Sequence, residues 1–337
     1  LADNQVPVTI IGAGPVGLFA VFTCGMMRLK CRVIETLPIL GGQCQELYPE
    51  KPIFDIPGFP QVLGKDLVSN LLKQIKPFDP QMHLGETVMH LSPQKDGWTV
   101  HTSKQLFKTS VVIIASGAGS FQPNRPPLAG IETLENKHVF YAVREPDLLR
   151  GKTVVIAGGG DSAVDWAISL VGVAKKIYVV HRRPQFRAAG SSVDHLHSLA
   201  AAEKLELVIP YQLHALQMSE DQKLTHVVVK TLEGEKQTLP ADTLLPFFGL
   251  KSDVSFLENW GIELQHHRIK VDPLTGCTSQ KGIYAIGDGV IYPHKRKLIL
   301  TGFAEAAQAA THIRQMLSPN QPFTPQHSTT SGIPTLS

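Results

Sequence analysis

From Asn4 to Met27 the chain carries no charged residue, and the run is largely apolar. On hydropathy alone such a stretch passes for a membrane anchor or a signal sequence. A signal peptide needs a positive leader, and the one earlier charge is Asp3. A spanning helix is interrupted by Gly12-Ala13-Gly14-Pro15, where a proline in a helix interior costs about 3 kcal/mol. The run therefore reads as two elements joined by a turn. Val6 to Ile11 is a short β-branched strand, and Pro15 to Leu29 is a helix whose first turn tolerates proline.

The turn between them is Gly12-x-Gly14-x-x-Gly17. Gly12 makes the tight bend, Gly14 lets the backbone approach a pyrophosphate, and Gly17 lets helix and strand pack closely. A pyrophosphate then lies on the helix N-terminus, where free N–H groups and the helix dipole favour negative charge. Cys31 to Ile34 forms the next strand and ends in Glu35, 23 residues after Gly12. That is the expected distance for a carboxylate that accepts from a ribose hydroxyl.

The pattern recurs 146 residues later. The strand Thr153 to Ala157 runs into Gly158-Gly159-Gly160-Asp161-Ser162-Ala163, followed by a helix through Ala174 and a strand from Ile177 to Val180. Ala163 takes the third glycine position, an accepted variant. The same offset carries Glu35 onto His181, followed by Arg182, Arg183 and Arg187. A carboxylate at this strand end suits a free 2′-hydroxyl, whereas a cationic group suits a 2′-phosphate. Arginine adds a planar fork that matches phosphate oxygens bidentately. The first copy is expected to hold FAD and the second NADPH, with hydride passing between the two rings.

At roughly 150 residues per domain the 337 residues make about two domains. The fold class is α/β, with two Rossmann-like dinucleotide-binding domains in a three-layer ββα arrangement. Between the copies, Glu86 to Leu91, Trp98 to Thr102 and Gln105 to Lys108 read as hairpin strands, and Val111 to Ala115 as a separate buried strand. After the second copy come strands at Leu205 to Pro210, Leu213 to Met218, His226 to Thr231 and Lys236 to Leu239. Asp242 to Gly249 and Gly282 to Ile286 return to sheet, and a helix spans Gly302 to Leu317. The FAD domain is expected to be discontinuous, at 1–117 and 248–320, around an NADP domain at 118–247. The segment 321–337 is a tail near the flavin. Asp288, after Gly287, suits a ribityl hydroxyl, and the dipole of the last helix suits the negative charge of a reduced flavin.

Four cysteines, Cys24, Cys31, Cys44 and Cys277, show no Cys-x-x-Cys spacing. They read as buried hydrophobes of a reducing cytoplasm rather than a zinc knuckle or redox dithiol. A net charge of +3 is too balanced for a nucleic-acid coat. Among the 14 histidines, His195-x-His197 and His266-His267 read as surface pairs, and no metal site is expected.

With these strings in hand the chain resembles the two-dinucleotide-domain flavoproteins of thioredoxin-reductase type. The resemblance rests on the two glycine turns, Gly41-Gly42-Gln43, His181-Arg182-Arg183-x-x-Phe186-Arg187-Ala188 and Ala285-Ile286-Gly287-Asp288, over residues 6 to about 317. The dithiol of that family is missing. Its place is taken by His138-Val139-Phe140-Tyr141-Ala142-Val143-Arg144-Glu145. The chain is more similar to the thioredoxin-reductase-like ferredoxin–NADP reductases. It shares with them Tyr48-Pro49-Glu50-Lys51, Asp55-Ile56-Pro57-Gly58-Phe59-Pro60, Lys297-Leu298-Ile299-Leu300-Thr301-Gly302-Phe303 and the tail His327-Ser328-Thr329-Thr330.

That resemblance implies roles. Gly12, Gly14, Pro15, Gly17, Glu35, Gly42, Gln43, Tyr48, Val88, Phe121, Asp288 and Thr329 are expected to bind FAD, with Tyr48 stacked on one flavin face. His327 is expected over the other face, the tail serving the partner subunit of a homodimer. Gly158, Gly160, Asp161, Ser162, Ala163, His181, Arg182, Arg183 and Arg187 are expected to bind NADPH. No acid–base residue is required for hydride transfer itself. The implied acceptor is ferredoxin or flavodoxin, acidic carriers for which Lys51, Lys295, Arg296 and Lys297 form a candidate docking patch. The rival readings are a reductase of another acceptor, disfavoured as a disulfide reductase by the missing dithiol, a flavin monooxygenase, and a non-enzymatic nucleotide sensor. No nucleic-acid or membrane partner is expected, and the compartment is expected to be cytoplasmic.

Overall fold

The computed structural model describes residues 5–117, 119–143, 145–253, 255–321, 329 and 332–336, with the backbone alone for residues 5, 120–122, 250–253, 255 and 256. The chain divides into two compact units, Leu1–Phe121 with Ser252–Ser337, and Gln122–Lys251.

The first unit is built on a 7-stranded sheet. Its parallel part runs Gln81–Leu84, Cys31–Glu35, Gln5–Ile11, Leu106–Ile114 and Ile283–Ala285. Strand residues alternate between the two faces, so each face needs its own apolar set. Val8, Ile10, Val111 and Ile113 pack under three helices, Pro15–Met26, Gly64–Ile75 and Ile299–Leu317. Ile11, Ile34, Val112 and Ile114 face the other way, onto Val100, Phe107 and Trp98. Being buried on both faces, the central strands read as nearly continuous apolar runs.

The strands expected at Gln105 to Lys108 and Val111 to Ala115 are one strand, Leu106–Ile114. Its first half pairs antiparallel with Gly97–Thr102, and its second half pairs parallel with Ile283–Ala285. At the fork Thr109 is 2% exposed, and its hydroxyl, a single donor, lies 3.0 Å from both Val6 O and Val111 O. The first helix stops at Met26 rather than Leu29, and the last begins at Ile299, one turn earlier than expected.

From Gln5 on, the uncharged run thus becomes a central strand and a helix largely covered by its neighbours. Its helix buries Leu18, Ala20, Val21 and Cys24 against the sheet and the adjoining helices. Among the described residues no helix is long and apolar enough to cross a membrane.

The second unit has a 4-stranded parallel sheet in the order Glu206–Val208, Lys176–Val180, Thr153–Ala157 and Thr243–Pro246. A three-stranded antiparallel meander, Gln212–Met218, Leu224–Lys230 and Lys236–Pro240, packs Val227, Val229 and Leu239 into one of its cores. The helix after the second glycine turn ends at Ser169, short of Ala174, because its cap residue Leu170 begins a run of tight turns.

Candidate dinucleotide sites

The two glycine turns are built alike. Gly12 donates its N–H to Ile34 O at 2.9 Å, and Gly158 donates its N–H to Val180 O at 3.1 Å. Each bond ties a turn to the end of the following strand, 22 positions on. Each turn runs into a helix whose N-cap glycine, Gly14 or Gly160, makes no side-chain cap. The first amides of each helix therefore point outward without a side-chain acceptor from the cap residue, as an anion site requires.

In the first unit the three glycines separate by role. Gly12 has φ +106, and a β-carbon there would lie 2.5 Å from Ala115 O. A β-carbon at Gly17 would lie 2.0 Å from Gly12 O, so these two glycines serve the fold. A β-carbon at Gly14 would meet no protein atom within 4 Å. Packing does not demand glycine at Gly14; a bound group approaching the backbone does. The open cradle above Gly14 fits the pyrophosphate of FAD. Pro15 occupies the first helical position, where its missing N–H costs nothing.

Glu35 closes the strand beside this turn, 8% exposed. Its carboxylate accepts the Ala13 N–H at 2.7 Å and the Leu37 N–H at 2.9 Å. Burial raises its pKa, and these backbone donors oppose the rise only in part. A carboxylate has about four acceptor sites, so capacity remains for a ribose hydroxyl.

The loop carrying Gly41-Gly42-Gln43 packs directly on the turn, with Gly41 N–H donating to Ala13 O at 2.8 Å. The short helix Gly42–Glu46 then brings half-buried Gln43 and buried Cys44 to the same place. Cys44 Sγ approaches Tyr48 Oη at 3.7 Å. Burial, together with Cys44 and the Asp288 carboxylate, pushes the Tyr48 phenol far up, so it stays a neutral donor. Cys44 and Tyr48 are in direct contact, and the Asp288 carboxylate bears on both electrostatically. Asp288 is exposed at the tip of Gly287–Gly289.

Val88 begins the strand Val88–Gln94 of the first unit and is 6% exposed, packed in the core with Leu91, Val100 and Phe107. The Phe121 side chain and His327 lie outside the described residues. Thr329 is exposed, and its immediate sequence neighbours also lie outside the described residues.

Two side chains missed or misread in the sequence anchor the segment that carries Asp288. Glu305, on the last helix, is 5% exposed and accepts the Gly287 N–H at 2.7 Å and the Tyr292 hydroxyl at 2.6 Å. Lys295, expected on a docking surface, is instead buried, its side chain only 3% exposed, and is paired with Glu305. Its ammonium also lies 5.4 Å from the centroid of the Tyr292 ring. Burial cost forces a lysine in this position to find a counter-charge. The available signal was Glu305 itself. It falls in the same helical stripe as Gly302, Ala306, Ala309 and Ile313, where a lone carboxylate has to be partnered.

In the second unit His181 takes the position of Glu35. Its ring is stacked on Phe186, centroids 5.1 Å apart, and Nε2 contacts Gln185 O at 3.2 Å. Burial lowers the His181 pKa, and the guanidinium groups of Arg182, Arg183 and Arg187 lower it further against the pull of the Gln185 carbonyl. All three arginines fall within six residues of His181 and concentrate positive charge on this loop. All three arginines are exposed. Arg187 N–H donates to Gly159 O at 2.6 Å, and Asp161 Oδ1 accepts the Ala189 N–H at 3.0 Å. These two bonds clamp the arginine loop to the glycine turn. Ala163 is fully buried, while Ser162 and Asp161 lie exposed on the first helical turn. The donor set, open amides at Gly160 and guanidiniums one strand away, fits the pyrophosphate and 2′-phosphate of NADPH. His195 and His197 are exposed, the latter edge-on to Phe186, and His266 and His267 are exposed in a tight turn.

Comparison with known proteins gives a consistent picture. The profile of the family described as pyridine nucleotide-disulphide oxidoreductase matches residues 6–312. A ferredoxin–NADP reductase of Paramagnetospirillum magneticum is 52% identical over 336 residues, 99% of each chain. A ferredoxin–NADP reductase of Rickettsia rickettsii is 52% identical over 310 residues, 92% of this chain and 91% of that one. The crystal structure of T. acidophilum thioredoxin reductase is similar with a TM-score of 0.77, covering 94% of this chain and 99% of that one. At 22% identity the last likeness speaks to the fold alone.

Proposed function

Since the chain belongs to the pyridine nucleotide-disulphide oxidoreductase family, with ferredoxin–NADP reductases as relatives at about half identity along nearly its whole length, we propose that it is an FAD-dependent ferredoxin or flavodoxin–NADP reductase. The first unit binds FAD and the second binds NADPH. The observation that carries this reading is the contrast between the two strand ends. Buried Glu35 suits a bare ribose in one unit, and the arginine cluster around His181 suits a 2′-phosphate in the other. The described cysteines are free, and none stands where a flavin disulfide reductase keeps its dithiol.

FAD supplies a hydride acceptor that can afterwards release electrons singly. The protein's own residues bind and orient. Outward amides at Gly14 and Gly160 receive the two pyrophosphates. Glu35 fixes the FAD ribose and Asp288 the ribityl chain. Tyr48 would lie against one face of a bound flavin and keep water from it, and the family resemblance assigns the other face to the tail residue His327 in a homodimer. The nicotinamide needs one face cleared before it can stack. Lys51, Arg296 and Lys297 are exposed and make the docking patch for an acidic carrier. A cytoplasmic location accords with four free cysteines.

The test is NADPH-dependent cytochrome c reduction with and without ferredoxin and flavodoxin. Stimulation by either carrier is expected. A yellow protein that oxidises NADPH but is unmoved by both overturns the acceptor assignment, and a colourless protein that binds no FAD overturns the whole reading.

A further inference from the structure

We infer that the buried Lys295–Glu305 pair is the positioning element of the flavin site, fixing the Asp288 loop and, through its charge balance, the flavin's reduction potential. The inference rests on the first unit being the FAD site. Three donors converge on one carboxylate. They are the backbone N–H of Gly287, the hydroxyl of Tyr292 and the ammonium of Lys295. Gly287 immediately precedes Asp288. Tyr292 and Lys295 belong to the segment that leads from the strand Val290–Ile291 to the helix Ile299–Leu317. Glu305 thus ties both the entry and the exit of the Asp288 segment to the body of that helix. The contact lies six residues, about 9 Å, along the helix from Ile299.

The arrangement is built rather than incidental. Both charged side chains are nearly inaccessible, 3% and 6% exposed. A buried ion pair is weak as a stabiliser, and an apolar pair of similar volume usually serves as well or better. The pair does two things that an apolar pair does not. It supplies a hydrogen-bond acceptor to Gly287 N–H, which fixes the backbone at Asp288. It also adds no net charge of its own to the segment around Asp288. In a low-dielectric setting an unbalanced unit charge acts over several ångströms with little screening.

The sign of the effect follows from charge alone. Reducing a flavin adds negative charge. Glu305→Gln keeps a hydrogen-bond acceptor but strips Lys295 of its counter-charge, and the excess positive charge favours the reduced form. Lys295→Met leaves Glu305 unbalanced and favours the oxidised form. A merely structural role gives no reason for shifts of opposite sign.

The experiment measures the flavin midpoint potential of purified holoprotein and the FAD affinity of the apoprotein, for the wild type, Glu305→Gln, Lys295→Met and the double variant. The potential is expected to rise in Glu305→Gln, to fall in Lys295→Met, and to return to the wild-type value in the double variant. Each single variant is expected to weaken FAD binding at least tenfold, and the double variant to recover most of that loss. Should a single variant fail to fold, Glu305→Asp and the double variant carry the test. Glu305→Asp is then expected to keep the potential while weakening FAD binding through the shortened reach to Gly287. Shifts of the same sign in both single variants, a double variant that does not recover, or unchanged affinity in every variant overturn the inference. A wild-type protein that binds no FAD overturns the flavin reading itself, which separates the two failures.

Discussion

His181 lies on Gly159. A β-carbon added at Gly159 would sit 2.1 Å from His181 Cε1, well inside contact distance. One repeat earlier the same two positions are Glu35 and Ala13, and there the carboxylate accepts the Ala13 N–H at 2.7 Å. The two copies thus use one pair of positions in opposite ways. A hydrogen bond to an acid defines the first turn, and a ring packed on bare backbone defines the second. The prediction is that Gly159→Ala displaces the His181 ring and its Phe186 stack, at a cost of about 1–3 kcal/mol from overpacking. In a His181→Ala background the same change is expected to be nearly silent. A double-mutant cycle on thermal stability and on KM for NADPH checks this, and additive effects refute the contact.

The arginine cluster predicts a selective loss. Replacing Arg182 and Arg183 by Gln removes two charge-assisted partners of a 2′-phosphate, each worth about 1.5–3 kcal/mol. KM for NADPH is expected to rise tenfold or more, with KM for NADH moved less than threefold. Steady-state kinetics with both nucleotides decides it, and equal effects on the two remove the phosphate role.

The glycines of the first turn predict two distinct phenotypes. Gly14→Ala meets no protein atom within 4 Å and keeps an allowed backbone at φ −69. It is expected to fold normally and bind FAD far more weakly, because the methyl group fills the cradle. Gly17→Ala places a β-carbon 2.0 Å from Gly12 O. It is expected to cost about 3 kcal/mol or more, since backbone rather than a flexible side chain must move. Melting temperature and FAD titration of both variants test the division, and a stable Gly17→Ala or a tightly binding Gly14→Ala contradicts it.

Much of this was readable from the chain. The glycine turns, the nearly continuous apolar runs of the central strands and the Glu35-to-His181 exchange are local patterns with one physical solution each. Leu106–Ile114 was not readable as one strand, because Thr109 and Ser110 look like a break. Thr109 is polar but internally satisfied at the point where two strands share one partner. Lys295 was misread for a related reason. In His294-Lys295-Arg296-Lys297 a buried lysine is indistinguishable from its exposed neighbours until Glu305, ten residues on, is brought beneath it. Burial of a charge depends on long-range packing, and no local periodicity records it.

Glu35 predicts a pH dependence. Its pKa is raised on folding, chiefly by burial. Its contribution to apoprotein stability is therefore fully present below the ordinary carboxylate range and is lost as pH rises through the raised value. Glu35→Gln removes that titration. As pH rises from the ordinary carboxylate range upward, the apoprotein melting temperature is expected to fall less in the variant than in the wild type. FAD affinity is expected to drop about tenfold, roughly 1.4 kcal/mol, with the lost ribose bond. A wild-type and variant pair with parallel pH profiles refutes the burial effect.

Correcting Lys295 sharpens the docking surface. Lys51, Arg296 and Lys297 stay exposed, whereas Lys295 is already neutralised by Glu305. Rim charges of this kind act mainly on association rate, and their effect is screened by salt over about 8–10 Å. Arg296→Gln combined with Lys297→Gln is expected to lower the low-salt rate with ferredoxin several-fold and to flatten its dependence on ionic strength. The rate with ferricyanide, a small anion that needs no docking face, is expected to fall less. Stopped-flow measurements over a salt series compare the two acceptors directly. Equal losses with both acceptors place these residues at the flavin rather than at the carrier surface, and an unchanged salt dependence removes them from docking altogether.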